Sequence, residues 1–437
     1  MKTNKKLRVL VLGSGGREHA LCWKLAQSPL CESLYALPGN PGIEAMGCTL
    51  IPSSAQKFEE VKHAVLKHAI DFVVVGAEAP LCAGIVDYFQ ADPALRKVRI
   101  FGPTAASAQL EASKRFAKDF MLRHQIPTAR YAAFTRDQET EAIHYLESLT
   151  PPYVIKADGL AAGKGVLIVS DKEQAQQAIH ECFTGKFGEA GSTLVIEEFL
   201  HGIEFSVFAI CDGEHYQLLP IAKDYKRALD GDNGLNTGGM GSVTPVPFLT
   251  PELREKVLTN VIKPTLDGMR TEGNPYTGFL FVGMMLTTDG KPYVIEYNVR
   301  MGDPETQVVM LAMNADLLEL LYQATAGELQ NGIVDSHPST YLSVSLVSEG
   351  YPESYQTQKA ISGETNLLPH TMVFHAGTSL DSNHELRTSG GRVFSVCGEG
   401  NNITSARKQA YAMADRIHFE GKRMRSDIGT DLLRYEP

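Results

Sequence analysis

The sequence predicts an α/β protein in three parts. A parallel-sheet domain comes first, then a larger α/β domain organised around a glycine-rich hairpin, then a small α+β domain. Three observations predict this. Residues 7–103 alternate short apolar runs with helical segments, separated by Gly/Pro-bearing loops, which is βαβ wiring. The stretch VIKADGLAAGKGV (154–166) reads as strand, glycine-rich turn, strand. Composition shifts at NGIVDSHPST (331–340), beyond which further strands and one helix recur. The expected boundaries are 1–103, 104–330 with a lid subdomain at about 127–195, and 331–437.

In the first part the strands are Leu7–Leu12, Ser33–Leu37, Asp71–Val75 and Val98–Phe101. GSGGREHALCWKLAQS supplies a turn and an amphipathic helix, and PGNPG (38–42), GAEAPL (76–81) and GP (102–103) follow later strands. Parallel sheets bind ligands at the carboxyl ends of their strands, where these loops lie. Gly13, Gly15 and Gly16 half match a dinucleotide fingerprint, but its third glycine falls on Glu18, which argues against an NAD site. The helix that follows offers free N–H groups to an anion; the same glycines also suit a turn required only for tight packing. Thr104–Gln125 predicts one long helix stopped by Pro127. From Thr128 to Leu200 the pattern is strand, helix, strand, glycine loop, strand, helix, strand. Strands follow at Glu204–Ala209 and Tyr216–Ile221, then a long polar loop, KDYKRALDGDNGLNTGGMGSVTP (223–245), whose length points to function. Pro251–Glu272 reads as helix, Gly278–Leu286 and Pro292–Val299 as a hairpin, and Asp303–Gly327 as largely helical. The last part has strands at Tyr341–Val347, Met372–His375 and Arg392–Val396 and a helix at Thr404–Ile417.

Bulk properties exclude several classes. With 437 residues, 43% hydrophobic and 21% charged, the chain can build several cores. A net charge of −10 argues against nucleic acid or an anionic membrane as partner. Cysteines 22, 31, 48, 82, 182, 211 and 397 are odd in number and form no CxxC, so they read as reduced thiols of a cytoplasmic protein without a zinc site. The apolar core of MKTNKKLRVLVLGSGG is too short for a signal peptide, and no apolar run reaches membrane-spanning length.

Two stretches carry chemistry. Glycines 159, 163 and 165 let the backbone turn its N–H groups on a ligand, and Lys156 and Lys164 add positive charge, which suits a polyphosphate. The spacing differs from that of the P-loop, and a strand rather than a helix follows. Alone, the loop reads equally as a surface hairpin. In VIEYNVRMGDPETQ (294–307), strand alternation puts Glu296, Asn298 and Arg300 on one face together with Val294. A carboxylate, an amide oxygen and a guanidinium in a row suit Mg²⁺ and a phosphoryl group, the alternative being a solvated strand face. Glu204 can accept ribose hydroxyls, and Lys114, on a helix, can reach a phosphate. No nucleophile–histidine–acid triad is evident.

At this point the chain resembles the ATP-grasp ligases, and within them the glycinamide ribonucleotide synthetase family. The carriers run nearly end to end: GSGGREHAL (13–21), PGNPG, GAEAPL, FGPTAASAQLEASK (101–114), VIKADGLAAGKGV, IEEFLHGIEFS (196–206), NTGGMG (236–241), YTGFLFVGMM (276–285), VIEYNVRMGDPETQ, FHAGT (374–378) and GGRV (390–393). The resemblance implies an ATP-grasp fold with an N-terminal domain like that of biotin carboxylase and a small C-terminal domain. It implies ATP as co-substrate, Mg²⁺ or Mn²⁺, and the joining of glycine to 5-phosphoribosylamine through glycyl phosphate. By the same resemblance Lys114, Lys156, Gly159, Gly163, Lys164 and Gly165 contact the nucleotide phosphates. Glu197, Glu198, Phe199 and Leu200 give backbone contacts to adenine, Glu204 holds ribose, and Glu296 and Asn298 bind the metal. Arg300, Lys226, Arg227 and Asp224 are expected in catalysis, and Gly15, Gly16, Arg17, Glu18, Glu78, Gly239 and Asp303 at phosphoribosylamine and glycine. Residues 157–165 are expected to form a mobile lid. A monofunctional bacterial enzyme, monomeric or weakly dimeric, is expected. The alternatives are another ATP-grasp carboxylate–amine ligase and a non-catalytic nucleotide-binding protein. Lys223, Tyr225, Leu235 and Ala77 depart from the family's usual wording, which bears on the substrate loop rather than on ATP chemistry.

Overall fold

Leu7–Gly13 lies at the centre of a five-stranded parallel sheet, in the order Thr49–Leu50, Cys31–Pro38, Leu7–Gly13, Phe72–Val75, Arg99–Phe101. The structure, a computed structural model, describes residues 5–159 and 165–436. Continuous apolar runs are what a sheet covered on both faces requires. Leu10, Leu12, Val73 and Val75 enter one core, and Val9, Val11, Phe72 and Val74 enter another. Both cores continue into the middle of the chain, the first through Val207 and Val282, the second through Phe208 and Phe281. Shared burial therefore fixes the N-terminal sheet against the central one.

The centre of the chain holds two sheets. A four-stranded antiparallel sheet, Tyr131–Thr135, Thr193–Glu198, Tyr153–Ala157, Val166–Val169, has its own core around Ile155, Ile179 and Ile196. The second runs Pro292–Asn298, Thr277–Thr287, Gly202–Asp212, Tyr216–Leu218, Gly332–Ile333. The third region's sheet orders Lys223–Asp224, Gly241–Thr244, Thr340–Ser348, Arg392–Gly400, Thr371–His375, and the helix Ile403–Ala414 packs on it. The expected fold class is borne out. Among the described residues, no helix is long and apolar enough to cross a membrane.

Two expectations are corrected. Thr104–Gln125 is two helices, Gln109–Ala112 and Lys114–Arg123, with Ser113 extended between them (φ −132°, ψ 116°). Ser113 Oγ accepts from Phe116 N at 3.0 Å, so a local cap outcompetes helix continuation. Asp303–Gly327 is largely helical, as expected, in the two helices Glu305–Ala312 and Leu317–Ala326, the second capped by Asp316. The polar stretch 223–245 is not a loop. It forms the strands Lys223–Asp224, Arg227–Leu229, Asn233–Asn236 and Gly241–Thr244. Gly241–Thr244 pairs with Thr340–Ser348, and Ser242 N donates to Ser343 Oγ at 3.0 Å. A ladder partner a hundred residues away leaves no local sequence signal.

Candidate active site

The site floor is one face of the central sheet. Ladder pairs Glu204↔Met285, Ser206↔Gly283 and Phe208↔Phe281 continue to Gly283↔Glu296 and Phe281↔Asn298, and paired residues share a face. Glu296 and Asn298 are therefore together, as alternation predicts. Val294 is not with them. The register moves between Gly283 and Met284, so Met284 pairs with Val294 and Ile295 is left over as a bulge. Val294 turns into the core, fully buried, and the Ile295 carbonyl accepts from Lys156 Nζ at 3.2 Å. A Cβ on Gly283 would lie 3.2 Å from Glu296 Cγ, so glycine keeps room beside the carboxylate.

Glu296 sits among cations. Lys226 Nζ is 3.5 Å from Glu296 Oε1 and 3.2 Å from Glu204 Oε2. Burial alone would raise the Glu296 pKa, but Lys226, Lys156, Lys114 and Arg300 outweigh it and bring it down to about 2. Lys226, which burial would deprotonate, is instead held well above its usual range by Glu204, Asp224 and Glu296. Behind it, burial and Glu204 raise the buried Asp224 despite Lys226. Burial and Asp224 likewise raise Glu305, which is 3% exposed, to about 8. Ser206 Oγ donates to Glu305 Oε1 at 3.2 Å. Arg227 turns away, its guanidinium donating to Gly234 O at 2.9 Å within its own hairpin.

The antiparallel sheet contributes a second set of charges. Lys156 Nζ lies 2.8 Å from Glu197 Oε1, and Lys118 Nζ lies 2.9 Å from Glu197 Oε2. Lys114 opens the helix after Ser113, and its Nζ donates to Gly159 O at 3.1 Å. Asp158 accepts from Ser113 Oγ at 3.1 Å and from Arg115 N at 2.7 Å, tying that helix start to the glycine loop. The helix break at Ser113 thus places Lys114. Glu198 accepts from Arg130 N at 2.8 Å, while Phe199 and Leu200 follow the strand end, where the Phe199 ring meets His201. Gly165 accepts from Ala157 N through its carbonyl at 2.8 Å. Gly163 and Lys164 lie outside the described residues, as does most of the expected lid at 157–165.

The N-terminal glycine turn meets the same centre. Gly15 N donates to Glu18 Oε2 at 2.6 Å, and Arg17 Nε to Glu18 Oε1 at 2.6 Å. A Cβ at Gly13 or Gly76 would come within 2.5 Å of the Glu18 side chain, so these glycines clear space for it. Glu18, 2% exposed, braces the turn from inside. Arg300 Nε donates to Glu78 Oε2 at 3.3 Å and its NH2 to Glu111 Oε1 at 2.9 Å, and Arg17 NH2 is 3.8 Å from Glu78 Oε2. Asp303 accepts from Gln307 Nε2 at 2.8 Å, and Arg392 NH2 is 3.3 Å from Asp303 Oδ2. A Cβ on Gly16 would lie 2.6 Å from Gln307 Nε2 and 3.6 Å from Asp303 Oδ1. Gly239, at φ +127°, lies against Pro304, where a Cβ would be 2.3 Å from Cδ. Sequence reasoning missed Glu111, Lys118, Glu305 and Arg392. Glu305 and Glu111 lie within recognised motifs, but nothing in a motif says that a carboxylate is buried.

The donor set fits a metal only in part. Among the described residues no group of three or more His, Cys, Asp or Glu converges to hold a metal ion. Glu296 and Asn298 offer one carboxylate and one amide, and Asn298 Nδ2 is buried without a hydrogen-bond partner. An amide that turned its oxygen into that position would gain a cation as partner. Two protein oxygens suffice for Mg²⁺ only when phosphate and water complete its shell, so a metal held by this pair would have to be held together with a polyphosphate.

A parallel N-terminal sheet, two central sheets meeting over facing lysines and carboxylates, and a further sheet carried largely by the last third of the chain define an ATP-grasp ligase. Phosphoribosylglycinamide synthetase models match residues 7–111 (N domain), 112–306 (ATP-grasp (A) domain) and 341–431 (C domain). The chain belongs to the phosphoribosylglycinamide synthetase family. It is 45% identical over 430 residues to the phosphoribosylamine–glycine ligase of Agrobacterium fabrum, covering 98% of this chain and all of that one. The crystal structure of phosphoribosylamine–glycine ligase from Thermotoga maritima is similar, with a TM-score of 0.82 at 36% identity, covering 97% of this chain and 100% of that one. The biotin carboxylase domain of Hydrogenobacter thermophilus 2-oxoglutarate carboxylase shares the fold alone, with a TM-score of 0.74 at 14% identity and 99% coverage of each.

Proposed function

We propose that the protein is a phosphoribosylamine–glycine ligase: ATP, glycine and 5-phosphoribosylamine give ADP, phosphate and glycinamide ribonucleotide. The observation that carries this reading is the convergence of Lys226, Lys156 and Lys114 on Glu296, which shares one face of the central sheet with Asn298. Family membership supplies the substrates. A carboxylate is a poor electrophile, so an oxygen of glycine first attacks the γ-phosphorus and ADP leaves. The amine nitrogen of phosphoribosylamine then attacks the acyl carbon, phosphate leaves, and the nitrogen loses a proton.

The chain's residues divide this work. Lys114 and Lys156, with Gly159 and Gly165, neutralise and hold the phosphates, and Gly163 and Lys164 join them by family pattern. Glu197–Leu200 border adenine, and Glu204 takes ribose. Glu296 and Asn298 would hold Mg²⁺ or Mn²⁺, which would supply positive charge against the phosphates as the reaction proceeds. Lys226 and Arg300 orient the reacting groups, and Asp224 beside Lys226 receives the proton that the amine sheds. Arg227 supports the hairpin that carries Lys226. Arg17, Glu78 and Asp303, with Gly15, Gly16 and Gly239, form the amine and glycine side, and Glu18 braces its turn. Closure around the acyl phosphate excludes water that would otherwise hydrolyse it.

The test is ADP release with each substrate omitted in turn. Release that needs both glycine and phosphoribosylamine is expected. Release with bicarbonate and biotin, and none with glycine, would overturn the reading.

A further inference from the structure

Lys118, Glu197 and Lys156 form a buried chain of charge at the junction of three pieces of the molecule. Their side chains are 3–5% exposed. Lys118 comes from the helix Lys114–Arg123, whereas Glu197 and Lys156 come from neighbouring strands of the antiparallel sheet. Lys118 Nζ donates to Thr128 Oγ1 at 2.7 Å, and Thr128 Oγ1 donates onward to Val294 O. Lys156 Nζ donates to Ile295 O beside the bulge. One cation suffices to neutralise a buried carboxylate, and here there are two. The three groups sum to one net positive charge in a site shielded from water, offset only in part by Glu296, which Lys156 helps to keep ionised and which Lys226, Lys114 and Arg300 also face. Had Glu197 only Lys156, the pair would be self-satisfied and would compete with any phosphate for that ammonium.

We propose that Lys118 is a positioning residue for the nucleotide: by engaging one oxygen of Glu197, it leaves Lys156 a spare N–H and an uncancelled charge for the ATP phosphates. An ammonium has three donors; Ile295 O accepts from one of those on Lys156, and Glu197 Oε1 lies 2.8 Å away as its ion-pair partner, which leaves donor capacity for a phosphate. The inference rests on the ATP-dependent reading above. Burial lowers the Lys118 pKa to about 8 against the pull of Glu197, so Lys118 remains mostly charged at neutral pH.

The test is binding of a non-hydrolysable ATP analogue with Mg²⁺, measured by titration calorimetry on the full chain, with thermal midpoints to check folding. Lys118→Met leaves a neutral Glu197–Lys156 pair and is expected to weaken binding about tenfold or more, the order expected for one lost charge beside a polyanion in a partly dry site. KM for ATP should rise in parallel while kcat at saturating ATP stays within about threefold. The double variant Lys118→Met/Glu197→Gln restores the single positive charge on Lys156 and is expected to bind more tightly than Lys118→Met alone, which a purely structural role of Lys118 does not predict. Lys118→Gln gives the same comparison if the Met variant does not fold. Unchanged affinity in Lys118→Met, or a double variant no better than the single, would overturn the inference while leaving the ATP reading intact. Failure of the unaltered protein to bind the analogue would overturn both.

Discussion

Replacing Glu305 by glutamine is expected to stabilise the protein at alkaline pH and to change little in acid. Glu305 begins a helix behind the site floor, and its carboxyl lies against Gly302, where a Cβ would come within 2.4 Å of Oε2. Burial and the nearby Asp224 raise it from 4.5 to about 8. The sign follows from proton counts. Between those two values the folded protein holds a proton that the unfolded chain has released, so stability is complete below about pH 4.5 and falls as pH rises through about 8. At 1.36 kcal/mol per unit the full shift corresponds to about 5 kcal/mol. Asp224 contributes to that shift through its charge and is itself raised by burial, so roughly half is expected from Glu305 alone. Glutamine reproduces the protonated form and can still accept from Ser206 Oγ. Thermal midpoints of both proteins at pH 5 and pH 9 test this. The variant should match the parent at pH 5 and exceed it by several degrees at pH 9. An equal offset at both values, or a less stable variant at pH 9, would refute the reasoning.

Two further outcomes follow from the same geometry. Glu296→Ala removes the carboxylate of the proposed metal pair. It should lower turnover by a factor above ~10², with the fold retained because Lys226 keeps Glu204 at 3.2 Å; near-normal steady-state turnover at saturating Mg²⁺ would count against it. Ser113→Ala removes the helix cap and a hydrogen bond to Asp158, so the thermal midpoint should fall by the equivalent of about 1 kcal/mol and KM for ATP should rise. An unchanged midpoint and KM would show that the break at Ser113 does not set the position of Lys114.

Much of this was legible in the sequence because the signals are local. Apolar runs gave four strands of the parallel sheet, while Thr49–Leu50, with two residues, was too short to register. Period-two alternation placed Glu296 beside Asn298, but it cannot foresee a bulge, and Val294 went to the wrong face for that reason. A helical pattern through 104–125 hid the break at Ser113, whose partner Asp158 is 45 residues away. The polar, glycine-rich 223–245 stretch concealed strands whose ladder is completed by residues 340–348. The departures from the family's wording make sense only in three dimensions. Tyr225 is buried, with Lys223 Nζ 3.7 Å from its ring centroid and its hydroxyl donating to Asp431 at 2.6 Å. Leu235 is 52% exposed at its hairpin, where its side chain costs the fold little. Lys118 carries no motif signal, because its importance lies in the charge it meets.

Phosphorylation of glycine ahead of amine attack can be read from the fate of one oxygen. Glycine labelled with ¹⁸O in its carboxylate is supplied with ATP, Mg²⁺ and phosphoribosylamine, and the released phosphate is analysed by mass. If glycine is phosphorylated by ATP before the amine attacks, each phosphate carries one oxygen from glycine. Phosphate released in step with product but free of label would contradict the account.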